Sequence, residues 1–348
     1  MDKLDPPAPS TASGLSLARP SRRDIMRYGT AGAVAALFPF GVAHAQTSKK
    51  LRFAHPASAT HGWNLWAEHF KSTIESRSEG AIAIQIFSDA QMGNETDTAQ
   101  AVKLGSLEMG AVGVGLMGWV PQVSVTDGPF LWKSRQQAHN AFGGEFGNEL
   151  KRLSLDKGFR LVGWTDLGFR CMTNNIKEIK SAADMEGLKM RVPNSKAYIA
   201  LMQAVGAQTV AVDLSELYLA LRQGVADGQD TPPSVVKATK LNEVQKYVSR
   251  TDHVLTTAYV IANPGVYDGL TDEERTAFDA SAAEADQFLR NFTEEDEAGA
   301  YSYLAENGMM VTADVDTESF REKTSNVLAD NPDLFPPELV ALARATAE

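Results

Sequence analysis

The sequence has one cysteine, Cys171, in 348 residues. No disulfide can form within the chain, and a lone thiol in an oxidising compartment is best buried, so we expect Cys171 as a small apolar residue inside a strand. Histidine is scarce too: His44, His55, His61, His69, His139 and His253. None builds a His-Glu-x-x-His helix and no cysteine pair exists for zinc, so the expected metal and cofactor content is none. No Gly-x-Ser-x-Gly elbow is present to carry a nucleophile. Gly113-Val114-Gly115-Leu116-Met117-Gly118 mimics a dinucleotide loop, but Trp119-Val120-Pro121 follows it, a poor start for the helix such a loop must open. We read it as a strand-to-loop turn where backbone approaches a pocket. From these shortages we expect a protein that is not an enzyme.

Long apolar runs are missing as well. The most continuous, Gly29 to Val42, is about fourteen residues, short of the roughly 20 that span a bilayer. Its setting explains it. Ser21-Arg22-Arg23-Asp24-Ile25-Met26-Arg27 is like a twin-arginine export signal, and Ala43-His44-Ala45 has the small-x-small pattern of a cleavage site. Residues 1–45 are therefore expected to be a signal peptide, with a periplasmic mature chain from Gln46. Basic residues are few: 33 against 44 acidic. Five basic and three acidic ones fall in the first 45, leaving 28 against 41 and a formal charge of −13. That field disfavours nucleic acid and anionic lipid as partners, and any anionic ligand needs a locally basic pocket.

About 300 mature residues exceed what one core serves, which implies two lobes. Short apolar strands alternate with amphipathic helices, the mark of a largely parallel α/β fold. Strands are expected at 51–54, 82–87, 109–114, 160–164, 188–192, 209–212, 247–250 and 256–262. Helices are expected at 63–76, 95–104, 215–224, from an Ser134 N-cap to about Leu153, and from an Asn194 N-cap to Val205. Thr271-Asp272-Glu273-Glu274 is a capping box opening a helix to about Asn307, long enough to brace both lobes. The expected division is lobe I from 46 to 165, lobe II from 166 to 253, and 254–348 as return strands, the bracing helix and C-terminal helices.

Two arginines stand out. Arg170 lies in Gly168 to Thr173, expected to be a short apolar strand, and Arg191 near the end of another, Gly187-Leu188-Lys189-Met190-Arg191-Val192-Pro193. Charged side chains are rarely buried unpaired, and the C-terminal end of an α/β strand faces the ligand crevice. A guanidinium meets a carboxylate with two parallel N–H bonds. The bland alternative is an internal ion pair with Asp213 or Glu216.

Residues 50 to about 340 resemble the solute-binding proteins of tripartite ATP-independent periplasmic (TRAP) transporters, the DctP-type family. The resemblance is carried by Ala183 to Pro193, by Val205-Gly206-Ala207 and by Leu214 through Gln229, with support from Gln91-Met92-Gly93, Gly105 to Met109 and Val244-Gln245-Lys246-Tyr247. It implies a two-lobed periplasmic binding protein fold that closes on its ligand by hinge motion. It also implies a small organic acid as ligand and the membrane permease of an ion-gradient-driven transporter as partner. The arginine matching Arg191 forms the main salt bridge with the ligand carboxylate in that family, and the one matching Arg170 commonly assists. Where the family usually has Glu-Asn-Pro after Gly-Gln, this chain has Asp230-Thr231-Pro232, so Thr231 offers a hydroxyl in place of an amide. By position Glu95, Asp213 and His61 are further pocket candidates. Glu95 could accept from ligand hydroxyls, which together with two arginines favours a hydroxylated or dicarboxylic acid. A sensor subunit presenting ligand to a receptor, or an exported enzyme, would be the other readings; a monomer is the default state.

Overall fold

Short strands, several of them buried along their whole length, build two sheets, seen in a computed structural model that describes residues 48–347. The export signal and cleavage site expected within residues 1–46 lie outside the described residues. The first sheet contains β1 (Lys49–Ala54), β2 (Ile82–Phe87), β3 (Met109–Val112), β4 (Arg160–Phe169) and β10 (Leu255–Ala262) in the order β2-β1-β3-β10-β4. The second contains β5 (Cys171–Asn174), β6 (Lys189–Val192), β7 (Gln208–Ala211), β8 (Gly228–Thr231), β9 (Tyr247–Ser249) and β11 (Met310–Thr312) in the order β11-β9-β5-β8-β6-β7.

The sheets are mixed, which corrects the expectation of a largely parallel arrangement. β10 runs antiparallel to both β3 and β4, and β5 antiparallel to both β8 and β9. The cause is connectivity. The chain leaves the first sheet at Phe169 and enters the second at Cys171, then returns from β9 into β10. A strand that returns from the other sheet meets its neighbours head to tail. Arg170 is thus not inside a strand, as expected, but between two, at the point of crossing.

Helices cover the sheets through apolar stripes. Helix α1 (Gly62–Arg77) buries Trp63, Trp66, Ala67, Phe70 and Ile74, spaced three and four apart on one face. Helix α2 (Glu95–Leu104) opens on a full capping box between Asn94 and Asp97. The helix expected from Ser134 to Leu153 is two, Arg135–Gly143 and Glu145–Asp156. Gly144 between them is extended (φ −104°, ψ −153°), and adjacent glycines give the helix little to hold it together there. Helix α3 (Lys196–Ala204) has Ser195 at its N-cap position, one residue later than the Asn194 expected, and without a side-chain capping bond. The strand expected to reach Val114 stops at Val112, because Val114–Met117 turns into a short helix.

Helix α4 (Asp272–Glu306) has 35 residues, roughly 52 Å at 1.5 Å per residue. The Thr271 hydroxyl and the Glu274 carboxylate satisfy each other's backbone N–H at its start. Its first half, through Phe278, Ala282, Ala285 and Leu289, packs with Phe53, Trp66 and Phe70 beside the first sheet. Its last turn, at Leu304, packs with Cys171, Leu217 and Val248 beside the second. One helix therefore packs beside both sheets. Among the described residues no helix is long and apolar enough to cross a membrane.

Candidate functional site

The ends of strands and the segments between the sheets meet around a cavity of ≈ 50 Å³, room for on the order of four waters. Its wall includes His61, Glu95, Arg170, Arg191 and Thr231, five of the six residues singled out in the sequence, together with Trp63, Gly113, Asp127, Tyr198, Thr256 and Thr257. Asp213 is set back from the wall. Its carboxylate accepts from the Asn94 side chain at 2.7 Å. Asn94 precedes α2 on the first sheet and Asp213 follows β7 of the second, so this bond joins the two halves.

Arg170 is 4% exposed and heavily bonded. Its Nε donates to the Asp230 carboxylate at 2.7 Å, and its terminal nitrogens donate to the Asp230 carbonyl, to Thr256 Oγ1 at 3.0 Å and to the Tyr198 hydroxyl at 3.3 Å. The partner is Asp230, neither Asp213 nor Glu216. Burial alone would raise the Asp230 carboxyl, yet the Arg170 guanidinium and then His253 hold it well below the usual carboxylate range. Burial works against the Arg170 charge, but Asp230, Tyr198 and Asp127 together lift it above the ordinary arginine value. Tyr198, on α3, donates onward to Asp127 at 2.6 Å, and Asp127 also accepts from Thr126 Oγ1 and the Thr257 backbone. Burial pushes the Asp127 carboxyl up.

Arg191 is as deeply placed, 3% exposed at the end of β6, but poorly bonded. Its Nε donates to the Val212 carbonyl at 2.7 Å. Among the described residues neither terminal nitrogen has a hydrogen-bond partner and no carboxylate lies in ion-pair contact with it. Burial, then the neighbouring Arg170 charge, pulls it down to about 10. A guanidinium taken from water without compensation is costly. A carboxylate entering the cavity would relieve that cost.

Glu95 is the first residue of α2. Its Oε2 accepts from the Gly113 N–H at 2.7 Å and the Gly115 N–H at 3.0 Å, and its Oε1 has no partner among the described residues. Gly115 permits this approach, since a Cβ there would stand 2.6 Å from the Glu95 Cβ. The glycine-rich turn is thus a cradle for a carboxylate of the chain itself. Burial raises the Glu95 carboxyl, with the two backbone donors and Arg191 opposing. His61 caps α1 by accepting from the Trp63 N–H at 3.1 Å and is pushed down to about 3 by burial. Thr231 ends β8, 5% exposed, with its hydroxyl unbonded among the described residues. Cys171 is fully buried and its thiol donates to the Thr231 carbonyl at 3.1 Å.

Sequence reasoning missed Trp63, Asp127 and Tyr198. Trp63 has a buried indole Nε1–H with no partner among the described residues, yet in sequence it is simply one of an apolar stripe. Asp127 lies in the 3-10 segment Pro121–Asp127, where no periodicity marks it. Among the described residues no group of three His, Cys, Asp or Glu side chains converges as metal ligands would.

The model of bacterial extracellular solute-binding proteins, family 7, matches residues 53–331. The 2,3-diketo-L-gulonate-binding periplasmic protein of Escherichia coli (strain K12) is 31% identical over 300 residues, 85% of this chain and 92% of that protein. A TRAP periplasmic solute-binding protein from Polaromonas sp. JS666, solved with D-erythronate, superposes with a TM-score of 0.83 at 29% identity, covering 86% of this chain and 99% of that one. One from Roseobacter denitrificans, solved with L-galactonate, gives 0.80 at 27% identity over 86% and 99%.

Proposed function

This chain belongs to family 7 of the bacterial extracellular solute-binding proteins, and from that premise we propose that it captures a small organic carboxylate, a sugar acid or C4-dicarboxylate, for a TRAP permease. The carrying observation is Arg191: a buried guanidinium with both terminal nitrogens unpartnered among the described residues, on the wall of a cavity between two sheets. The ligand carboxylate takes those two nitrogens in a fork geometry. Arg170, paired with Asp230, holds the wall in shape, while Thr231, Glu95, Trp63 and His61 border the remaining space, with Asp213 behind it. Closure of the lobes excludes water and strengthens the charge-assisted bonds. The bond between Asn94 and Asp213 is a contact such closure makes. The closed form then docks on the permease as a monomer.

The proposed route to the periplasm is twin-arginine export through Arg22 and Arg23, with cleavage after Ala45. Chemistry on the ligand is not part of this reading, since the role is capture and delivery.

Calorimetry of Arg191→Ala tests it. Truncating one partner of a buried charge pair costs about 2–5 kcal/mol, so affinity for the cognate acid should fall roughly 30- to 4000-fold. Unchanged affinity would remove Arg191 from the site. The cognate acid is found first by thermal shift of the mature chain against organic acids, sugar acids and neutral sugars. Saturation at about 100 times the Kd stabilises by about 2.7 kcal/mol.

A further inference from the structure

We infer that the site selects a hydroxylated monocarboxylate and rejects the corresponding dicarboxylate, an inference that rests on Arg191 being the carboxylate clamp. Among the described residues only two cationic side chains line the cavity, Arg170 and Arg191. The first is already neutralised: Asp230 takes its Nε at 2.7 Å and a terminal nitrogen through its carbonyl. The second offers one fork, and one fork serves one carboxylate. The other charged residues on the wall are Glu95 and Asp127, both acidic.

A ligand held at Arg191 therefore has nothing positive left for a second carboxylate. That group would have to give up its hydration in a small cavity facing two carboxyls, and like charges brought together at close quarters are strongly disfavoured. A hydroxyl in the same place meets matching partners. It donates to Glu95 Oε1, which is unbonded among the described residues, while the other Glu95 oxygen is fixed by two backbone N–H groups. The same wall carries the Thr231 hydroxyl, unbonded among the described residues, as a donor for it to accept from. A hydroxyl is both donor and acceptor, a carboxylate only an acceptor.

The test uses calorimetry on the mature chain with matched pairs of four, five and six carbons: an aldonate, and the aldarate that differs only in carrying –COO⁻ where the aldonate carries –CH₂OH. D-erythronate and meso-tartrate are the four-carbon pair. The expected result is at least one aldonate binding about 100-fold or more tighter than its aldarate. Glu95→Gln, which keeps an oxygen for the Gly113 and Gly115 N–H groups, should narrow that ratio at least about tenfold by removing one negative charge. An aldarate that binds as tightly as its aldonate overturns the inference and leaves the carboxylate-clamp reading standing. Silence from every aldonate overturns it too. Carboxylate binding that survives Arg191→Ala unchanged would instead overturn the clamp reading, so the two failures are separable.

Discussion

Arg170 and Arg191 sit on the same cavity at nearly the same depth, 4% and 3% exposed, and their surroundings are opposite. Arg170 donates four hydrogen bonds and is lifted above the ordinary arginine value by Asp230; Arg191 donates one and is drawn down to about 10. Depth alone thus says little about a buried charge. One that the chain has compensated belongs to the architecture. One left uncompensated is a cost that an incoming anion would remove.

The same substitution at both positions should separate them. Arg170→Met leaves Asp230 buried beside His253 with its main partner gone, and breaking a buried pair from one side costs about 3–5 kcal/mol. Urea unfolding of the ligand-free protein should show that loss. Arg191→Met should leave ligand-free stability unchanged or raise it, because a costly lone buried charge disappears and a single hydrogen bond goes with it. Binding should instead fall by about 2–5 kcal/mol. Equal stability losses at the two positions would break the comparison.

A buried carboxylate tests the same logic with the sign reversed. Asp286 on α4 accepts from the Trp66 indole at 2.7 Å and the Trp164 backbone at 3.3 Å, and burial raises it to about 7 despite those donors and Arg290. Its folded value lies above its unfolded one, so its favourable contribution is present below about pH 4 and is lost as pH rises through 7. Asp286→Asn should stabilise the protein more at pH 8 than at pH 5, by about 2–3 kcal/mol, in thermal melts at the two pH values. A gain independent of pH would show that Asp286 is not ionising across that window. The smallest effect belongs to the bond between the lobes. Asn94→Ala removes the donor to Asp213 as well as a helix cap, and should weaken ligand affinity by about tenfold or less. Asn94→Ser, which restores the cap alone, should recover the stability and not the affinity.

Much of this was readable in advance. The capping box at Thr271 and the apolar stripe after it located α4 within a residue at each end, because caps and periodicity are local signals. Arg191 was readable for the same reason: a charge inside an apolar strand that stops at proline. The mixed sheets were not, because strand direction depends on where the chain re-enters, and nothing in Leu255–Ala262 says that β10 returns from the other half. Nor was the partner of Arg170. Asp230 is 60 residues away and was noticed only as a departure in the Asp230-Thr231-Pro232 motif. The wall residues Asp127 and Tyr198 come from separate elements joined by one side-chain bond, and no spacing encodes such a meeting.

Asn94 divides its amide between two tasks. The oxygen caps α2 through the Asp97 N–H, and the nitrogen reaches across to Asp213. Hydrolysis of that amide to aspartate, the slow chemical ageing of asparagine, would leave the cap intact, since aspartate caps as well as asparagine does. The crossing bond would become two carboxylates face to face. An aged molecule would keep its fold and its helix and lose only its grip, a change that mass spectrometry would register as a gain of about one dalton and that a folding assay would pass over.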